Sequence, residues 1–486
     1  MAQRHGLGDV DLFHGGIAEC HISGNPCNSQ YSEALQGADR LAGKCQRFQY
    51  DPARSDTRLI YKAWYRVLNS GTQFEKHLRW LRSFQYASPQ EIYEFQLLAL
   101  RSLFHHCHCN VPFYRKSWNA SRFRPNGFRE LETLDDVPVT SRADLRANFP
   151  GRICAHNITV LRRIRKFTSG STGEPLEFFN DRGTLGVRLA SRFLHNEWIG
   201  LRPTDRMVRM THHQAPYRSM VNELQISTLA ATRSTASRVI RYIKQARVPG
   251  IVAFPSVLKI LGECLLSSPR NSVPSLKAIV SAGETLLPSD RRRLSNAFGA
   301  KVYERYSAQE VPGEFGQQCQ ANAGMHWNPG IVFLEVQRNG RAAKIGETGR
   351  ILLTDLWNRV MPLVRYDIGD EVEIGGGCKC GRTWETIIGP IGRLQDRLTT
   401  KNGELMALTD LANEIAERFE QEISRFQLVE TGKSTYKIRI VLDPRVNNFD
   451  VLKLRDFLHS YFRDIEVETR DPMRLPSGKS PLLVRI

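Results

Sequence analysis

A chain of 486 residues exceeds the size at which one hydrophobic core usually stops growing, so a large domain and a smaller one are expected. Its 41% hydrophobic and 24% charged residues exclude a disordered or fibrous protein, and no run of eighteen apolar residues marks a membrane span. Lys and Arg outnumber Asp and Glu by 68 to 50, for a formal charge of +18; this suits polyanionic partners, but no basic run is long enough to form a nucleic-acid-binding tail.

Residues 1–58 are rich in Gly, Ser, Asn and Gln, carry Cys20, Cys27 and Cys45, and show no sustained period, so they read as a loosely ordered extension. Met1 to Cys20 lacks the basic start, apolar stretch and small-residue cleavage site of a secretory leader, which makes the expected location cytoplasmic. In that reducing compartment the ten cysteines point to metal binding or plain burial, not to a disulfide framework. Ser88, Pro89 and Glu91 have capping-box spacing with proline at the first helical position, and Ile92, Phe95, Ala99 and Leu103 supply one apolar face. That helix is expected to end near His105-His106-Cys107-His108-Cys109, which reads as a helix terminus in preference to a metal cluster.

The basic cluster Arg162, Arg163, Arg165 and Lys166 leads into a changed pattern. From about 160 to 390, short apolar runs alternate with turn signals and helices. Ile251 to Phe254, Leu276 to Val280 and Val302 to Tyr306 read as strands, and Pro288 to Phe298, closed by Gly299, as a helix. The alternation predicts α/β architecture with largely parallel sheets, whose ligands gather at the carboxyl ends of strands. After Gly392 a small α+β domain is expected: helix 409–422, strand 436–442, helix 449–462 and strand 465–469.

Within this frame, Thr168-Ser169-Gly170-Ser171-Thr172-Gly173-Glu174-Pro175 combines hydroxyls with glycines that let backbone approach a phosphate closely. It lacks the closing lysine and hydroxyl residue of a Walker A loop, and taken alone it would read as a flexible turn. Other segments follow in order: Ser281-Ala282-Gly283-Glu284, Tyr306-Ser307-Ala308-Gln309-Glu310, Tyr366-Asp367-Ile368-Gly369-Asp370, Gly392-Arg393-Leu394-Gln395-Asp396 and Leu475-Pro476-Ser477-Gly478-Lys479. The ordered set resembles the motifs of the adenylate-forming superfamily. Over roughly residues 60–486, including Asn110 to Arg115 and Val137-Pro138-Val139, it is most similar to the phenylacetate-CoA ligase and CapK-type branch. Asp367 and Ile368 stand where many relatives have arginine and threonine, and Gln395 precedes Asp396 where many have the hinge aspartate, which leaves the pivot residue open between them.

The resemblance implies a large adenylate-forming domain of mixed sheets and helices over 59–391 and a small mobile α+β lid over 392–486. It implies activation of a carboxylic acid, by family likeness an aromatic one, with ATP, followed by transfer of the acyl group to coenzyme A. Attack of a carboxylate on the α-phosphate builds charge on the phosphoryl oxygens, which calls for loop donors, a magnesium ion and a cation. Ser169, Gly170, Ser171, Thr172 and Gly173 suit the first role, Glu310 the second and Lys479 the third. Ser281, Gly283, Glu284 and Tyr306 belong to the nucleotide and acyl region. His212 to Tyr217, Phe254 and Ala282 are expected to line the acid pocket with Tyr306. Asp370 would accept from the ribose hydroxyls, and Arg393 would meet ribose or phosphate. The bland readings are a surface carboxylate for Glu310, a turn residue for Asp370 and a rim charge for Arg393. Two further functions remain open: amide formation with an amino acceptor, and non-catalytic acyl or nucleotide binding. Separately, Cys319 and His326, followed by Cys378 and Cys380, form two ligand pairs able to close a structural tetrahedral zinc site, as in some phenylacetate-CoA ligase relatives. The alternative is buried thiols beside an exposed histidine. Oligomeric state is not legible.

Overall fold

The computed structural model describes residues 70–168, 176–211, 217–220, 223–228, 231–267, 272–311, 313–393, 396–432, 434–475 and 479–486. The N-terminal extension and the Ser169–Gly173 loop lie outside them.

A thirteen-stranded mixed sheet organises the larger part of the molecule. Five adjacent strands, Glu223–Ser227, Met207–Thr211, Gly250–Ala253, Ala278–Ala282 and Lys301–Tyr306, are parallel. Their apolar residues point alternately to two faces, as the strand period requires. Ile251, Ala253, Ile279 and Val302 pack under helices Arg233–Gln245, Pro255–Leu266 and Pro288–Phe298. Val252, Ala278 and Val280 meet helices Phe74–Phe84 and Leu185–Trp198 on the other side. The expected strands lie within one or two residues of those found, and helix Pro288–Phe298 ends at Gly299 with φ 63°.

Largely parallel pairing does not extend to the rest of the sheet, which is antiparallel. Strands Val332–Arg338, Thr348–Asp355, Tyr366–Ile374 and Thr386–Arg393 pair in succession with their neighbours. Their connections are too short for a crossover helix, and short connections permit only antiparallel pairing. The hairpin from Val332–Arg338 to Arg341–Ala342 turns through Asn339-Gly340, both at positive φ (50° and 77°), the backbone that a two-residue hairpin turn demands. On Val332–Arg338 buried and half-buried positions alternate, and one face joins a core shared with Leu100, Leu103, Phe104 and Trp118.

Helix Pro89–Asn110 starts as its capping box predicts: Glu91 N donates to Ser88 Oγ at 3.3 Å and Ser88 N to Glu91 Oε2 at 2.7 Å. It carries the His105–Cys109 run in its last turns, with Cys107 buried in the core and His106 Nε2 2.9 Å from the Arg359 carbonyl.

The C-terminal residues build a separate core around a four-stranded sheet ordered Asp464–Thr469, Thr435–Leu442, Ile423–Gly432, Leu483–Arg485. Helix Leu408–Arg418 is shorter than the expected 409–422, because the chain turns at Phe419 to enter strand Ile423–Gly432. Helix Val451–His459 starts inside the expected 449–462 because the Asp450 carboxylate accepts from Leu452 N and Lys453 N and caps it there. Contacts with the large sheet's helices are mostly polar. Arg425 Nε and Ser424 Oγ donate to Glu263 Oε1 at 2.8 and 3.1 Å, Arg293 donates to the Ile423 carbonyl at 3.0 Å and pairs with Asp443, and Leu287 inserts into the small core.

Candidate active site

The carboxyl ends of the parallel strands Ala278–Ala282 and Lys301–Tyr306 open onto a cleft of about 200 Å³, which the C-terminal segment closes from the other side. Ser281, Gly283, Glu284, Tyr306, Asp370 and Lys479 all line it, so residues from four separated motifs meet in one place. Asp396, at the end of the expected hinge motif, also lines it.

Gly283 has φ 82°, and a Cβ there would stand 2.9 Å from the Phe254 ring and 3.7 Å from Lys479 Nζ. Only glycine leaves room for this packing. Lys479 places its ammonium 5.2 Å from the centroid of Phe254, a cation–π arrangement that holds the charge at the cleft wall. Beside it the half-buried Glu284 accepts three hydrogen bonds: from Ser256 N (3.0 Å), Ser256 Oγ (3.0 Å) and Ser480 N (2.9 Å). Burial raises its pKa, opposed by these donors and by Lys479.

Across the cleft, Tyr306 donates its hydroxyl to Asp370 Oδ2 at 2.6 Å, and both side chains are buried. Asp370 therefore does more than occupy a turn: it is an oriented acceptor on strand Tyr366–Ile374, in register with Arg393. The turn role belongs to Asp367, whose Oδ1 accepts from Gly369 N at 3.0 Å and whose Oδ2 lies 3.3 Å from Arg350. The side chain of Arg393 lies outside the described residues.

Glu310 is only 7% exposed, which removes the surface-carboxylate reading. Arg142 Nη1 lies 3.8 Å from Glu310 Oε1, while Arg142 Nη2 donates to Thr168 Oγ1 at 2.8 Å. Thr168 in turn closes the stem of the 169–175 loop: Thr168 N donates to Leu176 O, and Leu176 N to Thr168 Oγ1, both at 2.9 Å. Arg142 thus ties the loop stem to Glu310. Sequence reasoning missed it, because its one local signal is the Ser141–Asp144 capping box that starts its helix. Ser256, Arg425 and Arg474 also line the cleft from outside every motif. Of the expected acid-pocket residues, Tyr306 lines the cleft and Phe254 seats Lys479, whereas Ala282 ends its strand without lining it. The His212–Tyr217 side chains lie outside the described residues.

The four expected metal ligands also come together, apart from the cleft. One ligand atom from each of Cys319, His326, Cys378 and Cys380 lies within 4.8 Å of the others. Cys319 Sγ is 3.5 Å from Cys378 Sγ, and Cys380 Sγ is 3.3 Å from His326 Nε2. These separations approach the edges of roughly 3.5–3.8 Å of a tetrahedron with Zn–S and Zn–N bonds of about 2.0–2.3 Å. His326 is buried, not exposed, and its Nδ1 lies 2.6 Å from the Trp384 carbonyl. A carbonyl can only accept, so the proton sits on Nδ1 and Nε2 presents its lone pair to the cysteines.

No protein-family model matches the chain. Among curated proteins it is 27% identical over 319 residues to the phenylacetate-coenzyme A ligase of Thermus thermophilus, covering 62% of this chain and 69% of that one. It is 19% identical over 377 residues to protein CapK of Staphylococcus aureus, covering 75% and 81%. Among solved structures, 2-hydroxyisobutyryl-CoA ligase in its postadenylation state superposes with a TM-score of 0.69 at 20% identity, covering 82% of this chain and 91% of the other. The same ligase in complex with 2-HIB-AMP and CoA in the thioesterification state gives 0.56 at 21% identity. These likenesses support mixed α/β architecture with a large multistranded sheet.

Proposed function

We propose that the chain is an adenylate-forming enzyme of the phenylacetate-CoA ligase and CapK-type branch, which uses ATP to convert a carboxylic acid into an acyl-adenylate and then passes the acyl group to coenzyme A. The observation that carries this reading is the insertion of Lys479, from the C-terminal unit, into a cleft that already holds Gly283, Tyr306 and Asp370. A fixed ammonium opposite a ribose acceptor is what an α-phosphate under attack requires, since negative charge develops between them.

In this reading Asp370, oriented by Tyr306, accepts from the ribose hydroxyls, and Ser281 and Gly283 border the nucleotide. The 169–173 hydroxyls, Thr172 among them, donate to the phosphates, with Arg142 fixing the loop stem. Glu310, a buried carboxylate beside that stem, would hold the magnesium ion, which offsets phosphate charge. Arg393 would contact ribose or phosphate. The zinc set would be structural, since four protein ligands leave no open position. Residues 59–391 would form the nucleotide- and acid-binding domain and 392–486 its lid. We place the enzyme in the cytoplasm; among the described residues, no helix is long and apolar enough to cross a membrane.

The test is ATP/pyrophosphate exchange across a panel of carboxylic acids, with aromatic acids expected to rank highest, followed by coenzyme A and then amines as acceptors. Exchange that no acid stimulates would leave a non-catalytic binder, and amide in place of thioester would make the enzyme an amide ligase. Asp370→Ala should weaken ATP binding by roughly 1.5–3 kcal/mol, because it removes a charged acceptor of hydrogen bonds. Isothermal titration checks this; unchanged affinity would return Asp370 to a structural role.

A further inference from the structure

Most of the hydrogen-bonding surface of the cleft residue Glu284 is occupied by the protein itself. Its Oε1 accepts from Ser256 Oγ and from Ser480 N, and its Oε2 accepts from Ser256 N. A carboxylate offers about four acceptor sites, so three are already used by the protein. The remaining negative charge would repel a phosphate. Glu284 is therefore poorly placed to serve as a nucleotide ligand, and its donors indicate another task.

Ser256 lies in the first turn of helix Pro255–Leu266, packed on the large sheet, whereas Ser480 follows Lys479 on the C-terminal unit. The Lys479 loop is itself braced. Leu475 N donates to Lys479 O at 2.8 Å. Buried Gln427, from the small sheet, donates to Met473 O (3.0 Å) and Pro481 O (2.9 Å) and accepts from Met473 N (2.7 Å). Gln427 thus fixes both flanks of the loop to the small sheet, and Glu284 receives the amide next to Lys479.

We propose that Glu284 is a positioning residue for Lys479: by accepting the Ser480 amide it docks the braced loop so that the ammonium lies over Gly283 and Phe254 during adenylation. This rests on the adenylation reading above. The bond is charge-assisted and partly buried, so it is strong while the loop is docked, and it disappears whenever the C-terminal unit moves away. Glu284 consequently acts on the first half-reaction and only through Lys479.

The experiment is a double-mutant cycle of Glu284→Gln, Lys479→Ala and both together, read as kcat and ATP KM of acid-dependent pyrophosphate exchange and as consumption of a chemically supplied acyl-adenylate. Glu284→Gln should slow exchange roughly 10- to 100-fold with ATP KM within about twofold. In the Lys479→Ala background it should add less than about twofold, and consumption of supplied acyl-adenylate should persist. Glu284→Asp, which keeps the charge but withdraws the oxygen by one methylene, should show the same pattern and serves if the glutamine variant fails to fold. Additive losses in the cycle, a rise mainly in ATP KM, or equal damage to both half-reactions would overturn the role. Wild-type-like exchange in both variants would do so as well. Wild-type enzyme that shows no exchange with any acid would instead overturn the adenylation reading, and this role with it.

Discussion

Replacing Lys479 by alanine should slow acyl-adenylate formation roughly 100- to 1,000-fold, the range typical for removing one preorganised donor of transition-state charge. A chemically supplied acyl-adenylate should still be consumed by coenzyme A. The asymmetry follows from where the lysine sits. It belongs to the C-terminal unit, yet its Nζ lies over the Phe254 ring and next to Gly283 of the large sheet. It reaches the cleft only while the two units are docked. These docking contacts are mostly polar and able to exchange: Arg425 with Glu263, Arg293 with Asp443, Ser480 N with Glu284, and Arg292 with Glu420 at 3.2 Å, beside the apolar plug of Leu287. Interfaces of this kind permit relative motion, so the ammonium can serve adenylation and be withdrawn for acyl transfer. Pyrophosphate exchange and single-turnover thioester formation, measured on one preparation, check both halves. Near-normal exchange would make Lys479 one more solvated charge, and equal loss of both steps would indicate general damage to the unit that carries it.

The sequence was most informative where chemistry forces a residue type. Gly283 is legible because any Cβ would strike Phe254, Gly299 because its helix ends in left-handed backbone, and Ser88 because its hydroxyl caps an orphan amide. The parallel strands are legible as unbroken apolar runs such as Ile251 to Ala253, buried on both faces. The antiparallel half is less so, because strands such as Thr348–Asp355 show no clean alternation, although turn residues such as Asn339-Gly340 and Gly375-Gly376-Gly377 separate some of them. Strand Ile423–Gly432 was missed because it carries Arg425 and Gln427. Both are buried there only because Glu263 and the Lys479 loop supply partners from far along the chain. Arg142 was missed for the same reason. Its neighbours Thr168 and Glu310 are distant in sequence, and no local pattern encodes such a meeting.

Protein purified without added metal should contain about one zinc per chain, and replacing both Cys378 and Cys380 by alanine should release it. The loss should destabilise the protein by about 4–5 kcal/mol, at the upper end for side-chain substitutions, as expected when a metal site disappears. The surroundings explain why the effect should be large and structural. His326 is oriented by the Trp384 carbonyl, and Trp384 in turn donates its indole N–H to Phe84 O at 3.1 Å. Trp198 packs 5.5 Å from Trp384 and 5.7 Å from His326, with Arg382 stacked over its ring at 4.7 Å. The metal would therefore pin the 378–384 segment against helices Phe74–Phe84 and Leu185–Trp198, and its loss would sever the link from that segment to Cys319 and His326. None of the four ligands lines the cleft, so adenylation at low temperature should fall less than stability does. Metal analysis and thermal melts with and without a chelator decide the matter. Full metal retention in the double variant would sink the site, and metal loss with an unchanged melting temperature would mean that the zinc is adventitious.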